Sequence, residues 1–145
     1  MDRKELEKPF PIEMIKQRKG NFGKMLDYIE AHTIIQRLND VFEGKWDFEI
    51  LKSKILEDEI LVLGKLSVEG IVKFQYGGNK ITRSTDSKEV ICISDDFKAA
   101  ATDSLKKCAS LLGIGLHLYS KEITKSQKQQ EPKKAVEMNV SNLQI

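Results

Sequence analysis

The sequence predicts an α+β fold in which a three-stranded antiparallel β-meander packs against flanking helices. Apolar residues recur at helical spacing over residues 28–42 and again over residues 97–112. Between these segments, apolar and polar residues alternate from Trp46 to Tyr76, with polar turns at residues 57–59 and 69–70. Helices before and after a run of strands are the arrangement of an α+β domain.

One domain accounts for the length of the chain. With 145 residues, 40% of them hydrophobic, the chain can bury one core and is too short to suggest two. Its formal net charge of +2 is too small to separate a nucleic-acid binder from other proteins, so the distribution of charge has to decide. No apolar run reaches the length of a signal-peptide core or a membrane span, which predicts a soluble protein.

The cysteines argue against a metal site and a disulfide scaffold. Cys92 and Cys108 are far apart, lack a C-x-x-C spacing and accompany only two histidines in the whole sequence. A reducing, cytoplasmic compartment is therefore expected.

The N-terminal segment is predicted to contain one short helix and a basic loop. Phe10, Ile12, Met14 and Ile15 form a short apolar cluster, which favours a docking helix after Pro11. Residues 16–24 then carry four cations, two glycines and the aromatic Phe22, and they contain no carboxylate. This composition predicts an exposed loop.

The first long helix is predicted to begin at Asp27, because Asp27 and Glu30 have the spacing of a capping box. Gly44 ends it. The strands of the meander are then expected at residues 46–56, 60–68 and 71–76, and residues 77–89 read as a loop that could include a short strand at 80–83.

The second helix is predicted from Phe97 to Leu112, with N-cap residues at 94–96 and a glycine exit at Gly113. On a helical wheel its core stripe consists of Phe97, Ala101, Leu105, Cys108 and Leu112. Lys106 points away from that stripe and Lys107 projects from its flank, so both amines are expected near solvent. Residues 120–145 are polar and are predicted to form a flexible tail.

No enzymatic constellation is found, and neither a metal nor a cofactor is expected. Residues 20–24 superficially suggest a phosphate-binding loop, but the spacing is too short and Met25 replaces the hydroxyl residue. The glycines at 113 and 115 follow a helix, whereas those of a dinucleotide fingerprint precede one. The carboxylates at residues 57–59 and 95–96 are explained as turn and cap residues.

The cations gather where a groove could form. Lys106 and Lys107 lie outside the core stripe of the second helix, and Lys98 and Thr102 border its other side. The basic loop can bring its cations and Phe22 close to the backbone and bases of a nucleic-acid strand. The helix pattern alone fits an ordinary solvated face equally well.

Two motifs resemble the Rad52/Rad22 superfamily of single-strand annealing proteins. The first is YIEAH at residues 28–32, preceded by Arg18 and followed by Phe42 and Trp46. The second is FKAAATDSLKKCA at residues 97–109, followed by LGIGL at 112–116. The resemblance covers roughly residues 14–119 and is closest to the short phage and bacterial members, including those like DNA damage response protein A.

The resemblance implies a β-β-β-α core whose subunits assemble into rings, with single-stranded DNA in a positive groove around the outside. It implies that Arg18, Lys106 and Lys107 contact the DNA backbone, and that Tyr28, Thr102 and Asp103 shape the groove. A further groove arginine of the family is Ser110 here, so Lys98 or Lys24 would assist. The candidate base or groove-shaping contacts are Phe22, Tyr28 and Thr102. The expected DNA-binding residues are Arg18, Lys19, Lys24, Lys98, Lys106 and Lys107.

The function implied is annealing of complementary strands in recombination or repair, without ATP, in a bacterial or phage-infected cell. Lysine and arginine neutralise phosphates while the bases stay available for pairing, so this activity requires no covalent chemistry. A homo-oligomer is expected, and a single-strand binding protein is a candidate partner. Two alternatives stay open: protection of single strands or DNA ends without annealing, and a generic RNA-binding or assembly module.

Overall fold

A computed structural model describes residues 1–119, and the predicted tail at residues 120–145 lies outside the described residues. The elements in chain order are α1 (Arg3–Glu7), β1 (Ile15–Lys19), β2 (Met25–Ile29), α2 (Ala31–Phe42), β3 (Trp46–Leu56), β4 (Glu59–Val68), β5 (Ile71–Lys80) and α3 (Ile93–Leu111). Within the described part, none of the helices is long and apolar enough to cross a membrane.

The predicted meander is confirmed. Strands β3, β4 and β5 form one antiparallel sheet with β4 in the centre. The prediction that residues 77–79 form a loop is wrong, because β5 continues through them to Lys80, with Gly77 opposite Val62 and Gly78 opposite Leu61. These glycines are strand residues because a side chain at Gly77 would collide with α3: an added Cβ would lie 2.5 Å from the carbonyl oxygen of Ala100.

Helix α3 packs on one face of this sheet through small residues. Ala100, Ser104 and Cys108 are fully buried, whereas Phe97 and Ala101, which were predicted to lie in the core stripe, are only partly buried. The wheel placed Leu105, Cys108 and Leu112 correctly in the buried stripe, but it missed Ala100 and Ser104. It ranked positions by hydrophobicity, whereas close approach of a helix to strand glycines selects for small size. The Ser104 hydroxyl donates to the Gln75 carbonyl at 2.8 Å, which satisfies the one hydroxyl in this contact.

The start of α3 also differs from the prediction. The helix begins at Ile93, and Asp96 is not a cap residue but a buried carboxylate. Its oxygens accept hydrogen bonds from Asn79 Nδ2 (3.1 Å), Thr82 N (3.0 Å) and Thr82 Oγ1 (2.8 Å). Asp96 therefore ties the segment after β5 to the first turn of α3. No separate strand forms at 80–83, because Lys80 is the last residue of β5 and Arg83 makes an isolated bridge with Val90.

The N-terminal segment folds as a β-hairpin, which contradicts both the docking helix and the basic loop. Only a single 3₁₀ turn forms at Ile12–Met14, after which β1 and β2 pair with Arg18 opposite Leu26 and Lys16 opposite Tyr28. Asp27 lies inside β2, so the capping box was wrong too. Two five-residue strands with mixed polar residues carry little alternation, and their pairing is visible only in three dimensions.

Helix α2 begins at Ala31 and has Glu30 at its N-cap position without a side-chain cap. Its apolar face joins α1 and α3 in the main core, where Leu6, Leu38 and Ile114 are almost fully buried. The Arg37 guanidinium donates to the carbonyls of Leu6 (3.0 Å) and Lys8 (2.8 Å), fastening the N-terminal segment to α2. This core holds the hairpin beside α3, which is the arrangement on which the candidate site depends.

Candidate nucleic-acid interface

A cleft of about 240 Å³ lies between the β1–β2 hairpin and the C-terminal half of α3. It unites Arg18 from β1 with Lys106 and Lys107 from α3, although these residues are far apart in the sequence. Asp27 and Asp103 also line it, so three cations less two carboxylates leave a balance of +1 among these five side chains. The remaining lining residues are Leu26, Tyr28, Ile29, Ile34, Ser110, Ile114, Gly115, Leu118 and Tyr119.

The half-buried ring of Tyr28 is the centre of this cleft. Arg18 Cζ lies 5.9 Å and Lys106 Nζ lies 5.5 Å from the ring centroid. Both distances are within the range of cation–π attraction, which reaches to about 6 Å. Tyr28 therefore holds a cation from the hairpin and a cation from the helix beside one another, which fits the groove-shaping role expected for it.

The helical wheel predicted that the Lys106 amine lies near solvent, and in the structure Lys106 lines the cleft. It is half-buried, and its ammonium donates to the carbonyl oxygen of Ile29 at 3.1 Å. Burial lowers the pKa of Lys106 below 10.5, and the charges of Arg18 and Lys107 act in the same direction, whereas Asp103 opposes them. An ammonium has three donors, so this hydrogen bond leaves two for an anion in the cleft.

Asp103 lines the cleft and connects α3 to the sheet. Its Oδ2 accepts a hydrogen bond from the backbone amide of Gly78 at 3.0 Å, which joins α3 to strand β5. Thr102, the neighbouring candidate, is half-buried on the same helix. Ser110 lines the cleft where the resemblance expects an arginine, and its hydroxyl donates to the Lys107 carbonyl at 2.6 Å. The cleft therefore has one cation fewer than that pattern.

The other expected DNA-binding residues lie outside this cleft. Lys98 is exposed on α3, two turns before Lys106, and does not line the cavity. Lys19 and Lys24 are exposed at the end of the hairpin, beside Phe22 at its tip. Sequence reasoning missed Tyr119, which is 45% exposed and lines the cleft, because it follows the glycine exit motif rather than lying inside it.

A larger cavity of about 750 Å³ lies between the N-terminal segment and α2, and its charge makes it a poor phosphate site. Five carboxylates line it, against three lysine and arginine side chains. Its acidic residues are Asp2, Glu5, Glu13, Glu30 and Asp40. Electrostatics therefore favours the smaller cleft for a polyanion.

Comparison with known proteins agrees with the motifs and the fold. The family described as the Rad52/22 family double-strand break repair protein matches residues 3–137. The chain belongs to this family. This confirms the resemblance drawn from the two sequence motifs.

Two relatives from the genus Deinococcus are similar to this Rad52/22 family chain, and both are named single-stranded DNA-binding protein DdrA. The protein from Deinococcus deserti is 31% identical over 80% of this chain and 55% of its own length. The protein from Deinococcus radiodurans is 28% identical over 80% of this chain and 53% of its own length. The chain thus spans about half the length of the curated relatives it matches.

The lowered pKa of Lys106 predicts a pH dependence of anion binding. A phosphate group in the cleft would stabilise the ammonium and raise its pKa again, so affinity for an oligonucleotide polyanion should fall as pH rises toward the range where the free Lys106 loses its proton. Arginine keeps its charge throughout, so Lys106→Arg should remove this decline. Fluorescence anisotropy between pH 7 and pH 10 measures the effect, and Lys107→Arg should keep the wild-type pH profile. Identical profiles for Lys106→Arg and the wild type would contradict the prediction.

Proposed function

We propose that this Rad52/22 family chain binds single-stranded DNA along the cleft between the hairpin and α3, and that it anneals complementary strands without nucleotide hydrolysis. The observation that carries the proposal is the convergence of Arg18, from the hairpin, and Lys106, from α3, on the Tyr28 ring. The names of the two relatives support single-stranded DNA as the ligand.

The mechanism follows from the chemistry of the cleft. Arg18, Lys106 and Lys107 neutralise phosphates and release condensed counterions, which supplies affinity that does not depend on sequence. A strand held by its backbone keeps its bases available to a complement, and neutralised phosphates lower the repulsion between two strands. Annealing by this mechanism depends on neutralised phosphates and on alignment of the two strands, and it requires neither ATP nor a catalytic group.

Assembly into a homo-oligomeric ring is part of this proposal. Within residues 1–119, β3 and β5 each pair with β4 alone, so both outer edges of the sheet are open to another copy. A cleft that one subunit supplies can contact only a few nucleotides, whereas repeated clefts bind one strand with the gain of multivalency. The same proposal places the protein in the cytoplasm, with a single-strand binding protein as a candidate partner.

An annealing assay without ATP, combined with a measurement of particle mass, tests the proposal. We expect bound strands to pair with a complement faster than free strands, and a mass far above the 16.5 kDa of one chain. Tight binding without faster pairing would identify a protector of single strands instead. Equal binding of RNA and DNA would favour the generic RNA-binding module, and a monodisperse monomer with and without DNA would contradict the ring.

A further inference from the structure

Phe22, at the tip of the hairpin, is an aromatic side chain with no role in folding that the structure reveals. It is 100% exposed, so it buries no apolar surface against the rest of the described chain. Its backbone adopts φ 61° and ψ 29°, the left-handed region that favours glycine and costs other residues free energy. An exposed aromatic ring on a strained backbone does not stabilise the fold. A contact with a ligand therefore explains this residue better than a structural role.

The two strands that carry Phe22 are hydrogen-bonded to each other up to the turn. Lys19 pairs with Met25, and the Gly20 amide donates to the Lys24 carbonyl at 2.6 Å, so the hydrogen-bonded ladder continues up to the turn. Gly23, with φ 71°, completes the reversal of the chain immediately after Phe22. The aromatic ring is therefore held at the end of the hairpin.

The surroundings of Phe22 have the chemistry that single-stranded nucleic acid requires. Lys19 and Lys24 flank the tip and are exposed, and Met25 beside them is 54% exposed. Residues 16–24 contain no carboxylate. An exposed aromatic ring that is flanked along the hairpin by two exposed lysines suits a nucleobase between two phosphates, since every base can stack on an aromatic ring.

We propose that Phe22 is a stacking wedge that inserts among the bases of a bound single strand and gives the protein its preference for unpaired DNA. This inference rests on the proposed function. Arg18 lies four residues before Phe22 on the hairpin, so their Cα atoms are at most roughly 14 Å apart, the reach of a fully extended chain. A phosphate contact at Arg18 and a base contact at Phe22 can therefore involve the same strand. In a duplex the bases are already stacked and paired, so the ring finds no free face.

Binding of oligonucleotides to wild type and Phe22→Ala, measured by anisotropy at several salt concentrations, tests the wedge. Loss of one aromatic stack should weaken single-strand binding roughly 5- to 150-fold. The salt slope should stay unchanged because no phosphate contact is removed, and duplex affinity should stay unchanged too. Strands that carry 2-aminopurine should show a fluorescence change with the wild type that the alanine variant lacks.

Two matched variants separate stacking from simple apolarity. Phe22→Tyr keeps the ring and should bind single strands like the wild type, whereas Phe22→Leu keeps an apolar side chain and should bind like the alanine variant. Thermal unfolding should be the same for all of them, because the side chain is fully exposed.

Four outcomes would overturn the wedge. If the wild type binds single strands and Phe22→Ala binds them equally well, the wedge is wrong while the proposed function stands. If Phe22→Leu matches the wild type, or if Phe22→Ala changes the particle mass, the tip makes a generic apolar or intersubunit contact instead. A wild type that binds no single strand would refute the proposed function itself, and the wedge with it.

Discussion

Replacing Arg18 and Lys106 together by alanine should abolish annealing and weaken single-strand binding by more than about 100-fold, while the oligomer persists. Hydrogen bonds to charged groups contribute about 1.5–3 kcal/mol each, and about 1.4 kcal/mol corresponds to a factor of ten. The two side chains share the Tyr28 ring, so their single effects are not expected to add. Two lost phosphate contacts should also flatten the logarithmic salt slope by about 1.4.

The fold should tolerate this double replacement. Arg18 is exposed, so its loss should change stability by no more than about 0.5 kcal/mol. Lys106→Ala removes the hydrogen bond to Ile29 but also a half-buried charge, and these effects oppose each other to leave a change on the order of 1 kcal/mol. Thermal unfolding and particle mass, measured beside DNA affinity, separate a binding defect from a folding defect.

A matched control variant removes two positive charges outside the cleft. Lys4 and Lys45 are exposed and do not line the cleft, so their double alanine variant should lose far less affinity. If the Arg18 and Lys106 double variant kept wild-type affinity and salt slope, the DNA path would lie elsewhere. The lysines of β4 and β5, namely Lys65, Lys73 and Lys80, would then be the next surface to test.

Gly77→Ala should lower the free energy of unfolding by roughly 2–4 kcal/mol, because the added methyl group overpacks the contact between β5 and α3. The new Cβ would overlap the Ser104 amide nitrogen and lie 2.6 Å from Ser104 Cα, and both atoms belong to the helix backbone. Backbone cannot rotate away as a side chain can, so the helix and the strand must separate. Urea denaturation at constant temperature measures the loss.

Gly78→Ala is the control in the same strand. There the added Cβ would meet Leu61 Cδ2 at 3.4 Å, an ordinary contact, so the change in stability should stay below about 1 kcal/mol. Equal unfolding free energies for the two variants would contradict the close packing of α3 on Gly77. Asp103, on α3, accepts a hydrogen bond from the Gly78 amide and lines the cleft. If Gly77→Ala displaces α3, DNA binding should therefore weaken as well.

The meander and the C-terminal ends of the two long helices could be predicted from the sequence because their signals are local. Period-two alternation placed β3 at Trp46–Leu56, as observed, and polar turns separated it from β4 and β5. Glycine placed the exit of α3 at Gly113, which adopts φ 109°. The two motifs also identified the family without a structure, because they preserve residue types at fixed spacing.

Only the tertiary structure decided how these elements form a cleft. The hairpin that carries Arg18 was read as a loop, since its two short strands are stabilised by pairing with each other rather than by a periodic pattern. The buried face of α3 was predicted only in part, because strand glycines select small helix residues such as Ala100 and Ser104, which a hydrophobicity wheel undervalues. The wheel placed the Lys106 amine near solvent and could not show that this side chain is half-buried. Its burial against Tyr28 and the Ile29 carbonyl depends on a strand distant in the sequence, and no local signal records such a contact.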